Sequence, residues 1–389
     1  MKYLLRNVNL LDVERGEIVK TDILMENGVF TRIEPDIRLA ASEGGTLEAQ
    51  KLREVFCDGL FALPGLIDAH SHVELSMLSS ASFAEALLQK GTTAAVLDAH
   101  DAVNVLGVRG AAYLMKEMAH TPLTPVWMAS PCVPSAPGCE DCFGQIELAD
   151  IRTMIEEYGM YGIAEAMDFH RVIEGEASLA AILAYAREKG LWIDGPAPCV
   201  RGEALDAYIA AGVRTDHESV TVEEMLEKYE KGMYVIVRRG SLKEPASAKE
   251  LLEKVGETER VLLSTDGCIT VQDMLAHGHM NYALAQVVSE GVEPMRAVRM
   301  ATLYPAKAVG LSHMGSVTVG QTARLLLVKD LQDFEAVFVY VDGMPLLSAY
   351  EREAFPEEVI HSLHHKAFVK QDMAIEVPAG AEEVQAAVL

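Results

Sequence analysis

From Leu60 to about Gly310 the chain alternates short apolar runs with amphipathic segments, and this rhythm constrains the fold more than any other feature. The runs Leu60–Ile67, Thr92–Leu97, Pro125–Ala129, Tyr161–Ala164, Leu191–Ile193, Gly212–Thr215, Met233–Val237 and Val261–Ser264 read as strands. Strands separated by helices pair in parallel through right-handed crossovers. Eight such units in roughly 250 residues fit a closed (β/α)8 TIM barrel better than an open sheet. The helices between them are legible. Val222, Met225, Leu226 and Tyr229 recur at i, i+3, i+4, i+7. Thr221 and Glu224 predict a capping box ahead of them, Ser247 and Glu250 repeat the device, and Gly256 ends that helix. Leu179, Ile182 and Leu183 make another apolar stripe.

The flanks read differently. Lys2–Leu11, Val19–Met25 and Val29–Glu34 are strand-like, and Asn27-Gly28 marks a hairpin between the last two. Ser42–Thr46 is a polar, Gly-rich break. After Gly310, Ser316–Val319, Ala323–Val328 and Ala336–Val341 are short β runs with no helix between them. The expectation is α/β: a barrel domain over 60–310, a small composite β-sandwich from 1–59 and 311–349, and a C-terminal tail over 350–389. The formal charge of -25 argues against nucleic acid and anionic membrane as partners. Lys2 and Arg6 are not followed by an apolar leader, no run approaches ~20 apolar residues, and six cysteines do not make a disulfide scaffold. A cytoplasmic setting is expected.

Barrel enzymes carry their chemistry where strands end. Here strand one runs into Asp68-Ala69-His70-Ser71-His72, strand two into Asp98-Ala99-His100-Asp101, and strand three into Ser130-Pro131-Cys132. Strand four ends at Glu165, strand five at Asp194-Gly195-Pro196, strand six at Asp216-His217-Glu218, strand seven at Arg238 and strand eight at Asp266. Imidazole with carboxylate is a ligand set for manganese, iron or zinc. Side chains two apart in a strand point the same way, so His70 and His72 can grip one ion. A bound cation lowers the pKa of water toward ~7, and a carboxylate across the rim can take the proton and pass it on. A second His-x-His, His277-Gly278-His279, reads as structural or rim-lining.

Phe61-Ala62-Leu63-Pro64-Gly65-Leu66-Ile67-Asp68-Ala69-His70-Ser71-His72 resembles the entry motif of the amidohydrolase superfamily. The runs Glu74–Leu78, Gly91-Thr92-Thr93, Asp98–Gly107, Cys132-Val133-Pro134, Glu165–Phe169 and Thr215–Glu218 resemble the adenine deaminases. So do Arg238–Ser241, Ser264-Thr265-Asp266, Met300-Ala301-Thr302 and Pro305-Ala306. The resemblance implies one or two divalent ions per chain. His70, His72 and Asp266 would hold the first, Glu165 would bridge, and His217 would serve the second. It also implies Asp266 as proton shuttle with Glu165 beside it, and a homo-oligomer acting on a small molecule. His100, Cys132 and Arg238 are candidate substrate contacts.

The chain also departs from that pattern. Pro196 stands where the family has a ligating histidine after strand five, Gly267 where it has a second Asp, Arg239 where it has Glu, and Asp101 where it has Glu. The resemblance runs out before the family's C-terminal domain. Cys199, or Cys132 or Cys268, is a candidate replacement for the lost histidine. Cys139-Glu140-Asp141-Cys142 lacks the second pair a structural zinc site needs. The leading expectation is hydrolysis of a C–N bond in an aminopurine with release of ammonia. Alternatives are hydrolysis of a cyclic or linear amide, and a ligand-binding homologue without turnover.

Overall fold

The computed structural model describes residues 1–39, 52–241 and 246–346. The Ser42–Thr46 break and the 350–389 tail lie outside the described residues. Strands from both ends of the chain share one sheet: β1 (Lys2–Asp12), β2 (Glu17–Glu26), β3 (Val29–Glu34), β4 (Leu52–Phe56), β5 (Phe61–Pro64), then β14 (Leu325–Val328), β15 (Ala336–Val341) and β16 (Met344–Pro345). Its order is β16-β15-β14-β5-β1-β2-β3, with β4 also paired to β1. Between β5 and β14 run β6 (Leu66–Ser71), β7 (Thr92–Asp98), β8 (Thr124–Ala129), β9 (Gly162–Ile163), β10 (Trp192–Ile193), β11 (Thr215–Asp216), β12 (Tyr234–Arg238) and β13 (Val261–Ser264).

These inner strands pair only in parallel, β6 through β10 in one run and β11 through β13 in another. Single backbone bonds join the two runs. Arg214 N–H donates to Ile193 O at 3.0 Å, and Asp266 N–H to His70 O at 3.0 Å. The result is a TIM-barrel-like α/β fold. All seven residues of β7 are buried, as expected of a parallel strand covered on both faces.

The run Leu60–Ile67 is not one strand. Phe61–Pro64 pairs antiparallel with β14, whereas Leu66 onward pairs in parallel with β7. The change of partner falls at Gly65, where a Cβ would lie 2.3 Å from Thr93 Oγ1. Ser316–Val319 is also not a strand; it forms the bend and turn before β14. In β14 the period-two alternation divides two cores. Leu325 and Leu327 pack with Tyr3, Val8, Ile23 and Phe30 of the terminal sheet. Leu326 and Val328 join the large barrel core.

The helix signals hold except that neither expected capping box is complete. Thr221 and Ser247 cap Val222–Glu230 and Ala248–Val255 by accepting from Glu224 N–H and Glu250 N–H. Glu224 does not complete a capping box, because its carboxylate binds Lys228, Cys199 N–H and Val220 N–H instead. Asn27 and Gly28 both take positive φ, 52° and 83°, as the tight β2–β3 hairpin requires.

Candidate metal centre

Strand ends gather the sequence-predicted residues at one rim. His70 and His72 leave β6, His217 follows β11, and Glu165 and Asp266 lie two residues beyond β9 and β13. The Nε2 atoms of His70 and His72 are 3.0 Å apart. Asp266 Oδ1 is 3.2 Å from His72 Nε2 and 3.4 Å from His70 Nε2, and Glu165 Oε1 is 3.3 Å from His70 Nε2. His217 Nε2 lies 2.6 Å from Glu165 Oε1 yet is not aligned for a hydrogen bond, and its ring stacks on that of His70 at 4.0 Å. Ring nitrogens and carboxylate oxygens thus converge on a common point. Such crowding of buried donors, with His217 Nε2 left without an aligned partner, fits a divalent cation. His70, His72, Glu165 and Asp266 form one group able to hold an ion, and His217, Glu218 and Asp266 form another.

The electrostatics agree. Burial by itself would raise Asp266, but His217, His70 and His72 outweigh it and hold this carboxylate far below its usual range. Glu165 is likewise pushed up by burial and drawn down further by His217 and His70, so both carboxylates are ionised. Asp266 takes φ 45°, a region that few non-glycine residues occupy and that Asp tolerates better than most. Gly267 follows at φ 62°, and Leu75 fills the space where a side chain at that position would begin, its Cδ1 2.4 Å from an added Cβ.

Several supporting residues were not assigned a role from sequence. Asp194, directly after β10, places Oδ2 2.9 Å from His70 Nδ1, and both side chains are buried. A carboxylate on the far nitrogen fixes the tautomer and aims Nε2 at the cluster. Glu218 grips Arg238 at 2.6 and 2.8 Å, and Arg238 bonds Asp266 Oδ2. Asp68 accepts from Thr265 and His70 N–H, and burial still pushes its carboxyl up to about 7. The available signal was position: Asp194 and Glu218, like Glu165 and His217, stand at strand ends.

The three substrate-contact candidates separate. His100 borders the cluster, edge-on to His72 at 4.8 Å between ring centroids. Cys132 is buried, and burial pushes its thiol up to about 12. Arg238 is engaged by Glu218 and Asp266. No cysteine belongs to a donor group among the described residues, and Cys199 is exposed at φ 61°. Arg239 is taken up in a part-buried pair with Glu290, at 2.6 and 2.8 Å. His277 is exposed against Tyr282, and buried His279 meets Thr265 Oγ1 at 3.2 Å, so the second His-x-His does not converge.

A parallel α/β barrel with buried histidines and carboxylates converging at its C-terminal rim has the architecture of a metal-binding barrel enzyme. The chain belongs to the amidohydrolase family, whose model matches residues 61–346. It is 34% identical over 343 residues to an adenine deaminase of Archaeoglobus fulgidus, covering 88% of this chain and 57% of that protein. It is 36% identical over 344 residues to an adenine deaminase of Thermosipho africanus, covering 87% and 57%. The chain therefore spans little more than half the length of these relatives. Among solved structures, a β-aspartyl dipeptidase of Fervidobacterium islandicum matches with a TM-score of 0.63 at 17% identity, covering 92% of this chain and 99% of that one. An N-isopropylammelide isopropylaminohydrolase of Burkholderia multivorans matches at 0.60 and 16%, covering 89% and 98%. At that identity these two establish the fold. No helix among the described residues is long and apolar enough to cross a membrane.

Proposed function

We propose that this protein is a metal-dependent hydrolase of carbon–nitrogen bonds that releases ammonia from an aminopurine or a related amidine. The observation carrying this reading is the convergence of His70 Nε2, His72 Nε2, Glu165 Oε1 and Asp266 Oδ1, each within 3.4 Å of His70 Nε2. Identity of 34–36% to adenine deaminases supports an aminopurine as the substrate class. His70, His72 and Asp266 would hold a manganese, iron or zinc ion, with Glu165 and His217 beside it. Such an ion lowers the pKa of water from 15.7 toward ~7.

Asp266 is the proton carrier in this reading. Its Oδ1 faces the histidines and its Oδ2 is held by Arg238, so it stays ionised and ready to accept a proton from water and deliver it to the departing nitrogen. Glu165 is ionised on the facing rim and orients the reacting water. Arg238 acts through Asp266. The homo-oligomer, the cytoplasmic setting and a sandwich formed by 1–59 and 311–349 beside the 60–310 barrel belong to the same proposal. The charge of -25 supports a small molecule over nucleic acid or membrane as partner.

The test is ammonia release from adenine, other aminopurines and simple amides, using chelator-stripped protein reloaded with manganese, iron or zinc. Metal-dependent release from an aminopurine, abolished in Asp266→Asn, is expected. Full metal loading without turnover of any of these compounds would refute the proposal.

A further inference from the structure

The strand-five side of the cluster lacks the histidine that the family pattern places after that strand. Pro196 offers no donor there, and its carbonyl already accepts from Tyr208 at 3.0 Å. Both oxygens of Asp194 are spent, Oδ2 on His70 Nδ1 and Oδ1 on Gly195 N–H at 3.0 Å. Cys199 is exposed and belongs to no donor group among the described residues. From strand six His217 faces the cluster, with Asp194 and Glu218 the other donors near it on this side.

The opposite side, at the end of β7, is differently built. Glu165 turns Oε1 toward His70 and His217, while Oε2 lies 3.9 Å from His100 Nδ1. Asp98 commits Oδ1 to the Ser130 hydroxyl. Its Oδ2 is 3.5 Å from the same His100 Nδ1 and has otherwise a long 3.4 Å contact with Glu165 N–H. His100 Nε2 is held by Asp101 Oδ1 at 3.2 Å, leaving Nδ1 buried without an aligned partner. A carboxylate on one ring nitrogen with the other aimed at acidic oxygens is how ligating histidines are usually oriented. His72, Asp98 and His100 bring donor atoms within reach of one ion.

We propose that His100 Nδ1 and Asp98 Oδ2, with His72 in the same donor group and Glu165 Oε2 3.9 Å from His100 Nδ1, form a second divalent-cation site on the strand-two side, in place of one built on a histidine where Pro196 stands. Donors about 2.1 Å from a tetrahedral ion stand about 3.4 Å apart, close to the 3.5 Å between His100 Nδ1 and Asp98 Oδ2. Charge points the same way. Asp98 and Glu165 are buried carboxylates, 1% and 7% exposed at the side chain, and buried negative charge favours a cation beside it. Nitrogen with carboxylate oxygen suits manganese, zinc or iron(II) over calcium or magnesium. His100 is thereby a ligand and not only a wall of the substrate pocket.

The inference rests on the reading that the main cluster holds a cation, and the experiment separates the two. The full chain is stripped with chelator and titrated with manganese; bound metal is counted by mass spectrometry and spin coupling is followed by electron paramagnetic resonance. Wild-type protein is expected to hold two equivalents with a coupled manganese pair. His100→Ala and Asp98→Asn are expected to hold one equivalent with an uncoupled signal. Asp101→Asn, at a half-exposed position where misfolding is not a concern, should weaken only the second equivalent, by about 10–100-fold. A single equivalent in wild type, or two coupled equivalents retained in the His100 and Asp98 variants, overturns the second site while leaving the first intact. No bound manganese in wild type overturns the proposed function itself.

Discussion

Asp194→Asn is the substitution that most directly tests how the centre is built. Asp194 Oδ2 and His70 Nδ1 are 2.9 Å apart, with side chains 2% and 1% exposed, so solvent does not weaken the contact. Asparagine keeps the acceptor oxygen and the shape but removes the negative charge that makes Nε2 a better donor. Alanine would be a poorer probe, since it strands a buried N–H at a cost of about 1–3 kcal/mol. Loss of a carboxylate behind a ligating histidine costs about 10–100-fold in metal affinity, which is about 1.4–2.7 kcal/mol. The assay is competition for manganese or zinc against a chelating dye, with thermal melts of the metal-free proteins as a folding control. An affinity within about twofold of wild type, with matching metal-free melts, would refute the claim that Asp194 tunes His70.

Three further outcomes follow from the geometry. Lys228→Met should destabilise by about 3–5 kcal/mol, because the fully buried ammonium is bonded to Ala197 O, Ser219, Glu224 and Asp216 and its loss strands two buried carboxylates; a denaturation midpoint near wild type would count against this. Asp22 is raised by burial, but Asn7 N–H, Arg6 and Ile37 N–H more than offset that and hold it below the ordinary 3.8, so its stabilisation is full above that value and is lost as pH falls through the lower folded value. Asp22→Asn should therefore be less stable than wild type at about pH 7 and converge with it in acid; urea midpoints whose difference is independent of pH would contradict the sign. Gly240→Ala should destabilise by at least about 1–3 kcal/mol, since a Cβ there would lie 2.1 Å from the Cys268 carbonyl oxygen, a backbone atom that cannot rotate away. An unchanged unfolding midpoint for that variant would show that the loop yields freely.

What the sequence revealed and what it concealed divide along physical lines. The strands β6–β8, β12 and β13 were legible because burial on both faces demands unbroken apolar runs. β9, β10 and β11 have only two residues each, and the short runs Tyr161–Ala164, Leu191–Ile193 and Gly212–Thr215 located them with bounds shifted. The break at Gly65 was invisible, because both halves are apolar and only the choice of partner distinguishes them.

For the site, the sequence by itself determined the donors. His70, His72, Glu165, His217 and Asp266 were readable because ligand type and strand-end position are local properties, and a barrel brings its strand ends to one rim. Which atoms serve which others was decided only by the tertiary structure. Asp194 reaches His70 across 124 positions, and Arg238 is claimed by Glu218 across 20 and by Asp266 across 28. The same holds for the departures from the family pattern: Arg239 swings onto Glu290, Leu75 takes the space beside Gly267, and the thiol of Cys199 stays at the surface. Pairing depends on distances that closure of the barrel creates, and no periodicity along the chain encodes them.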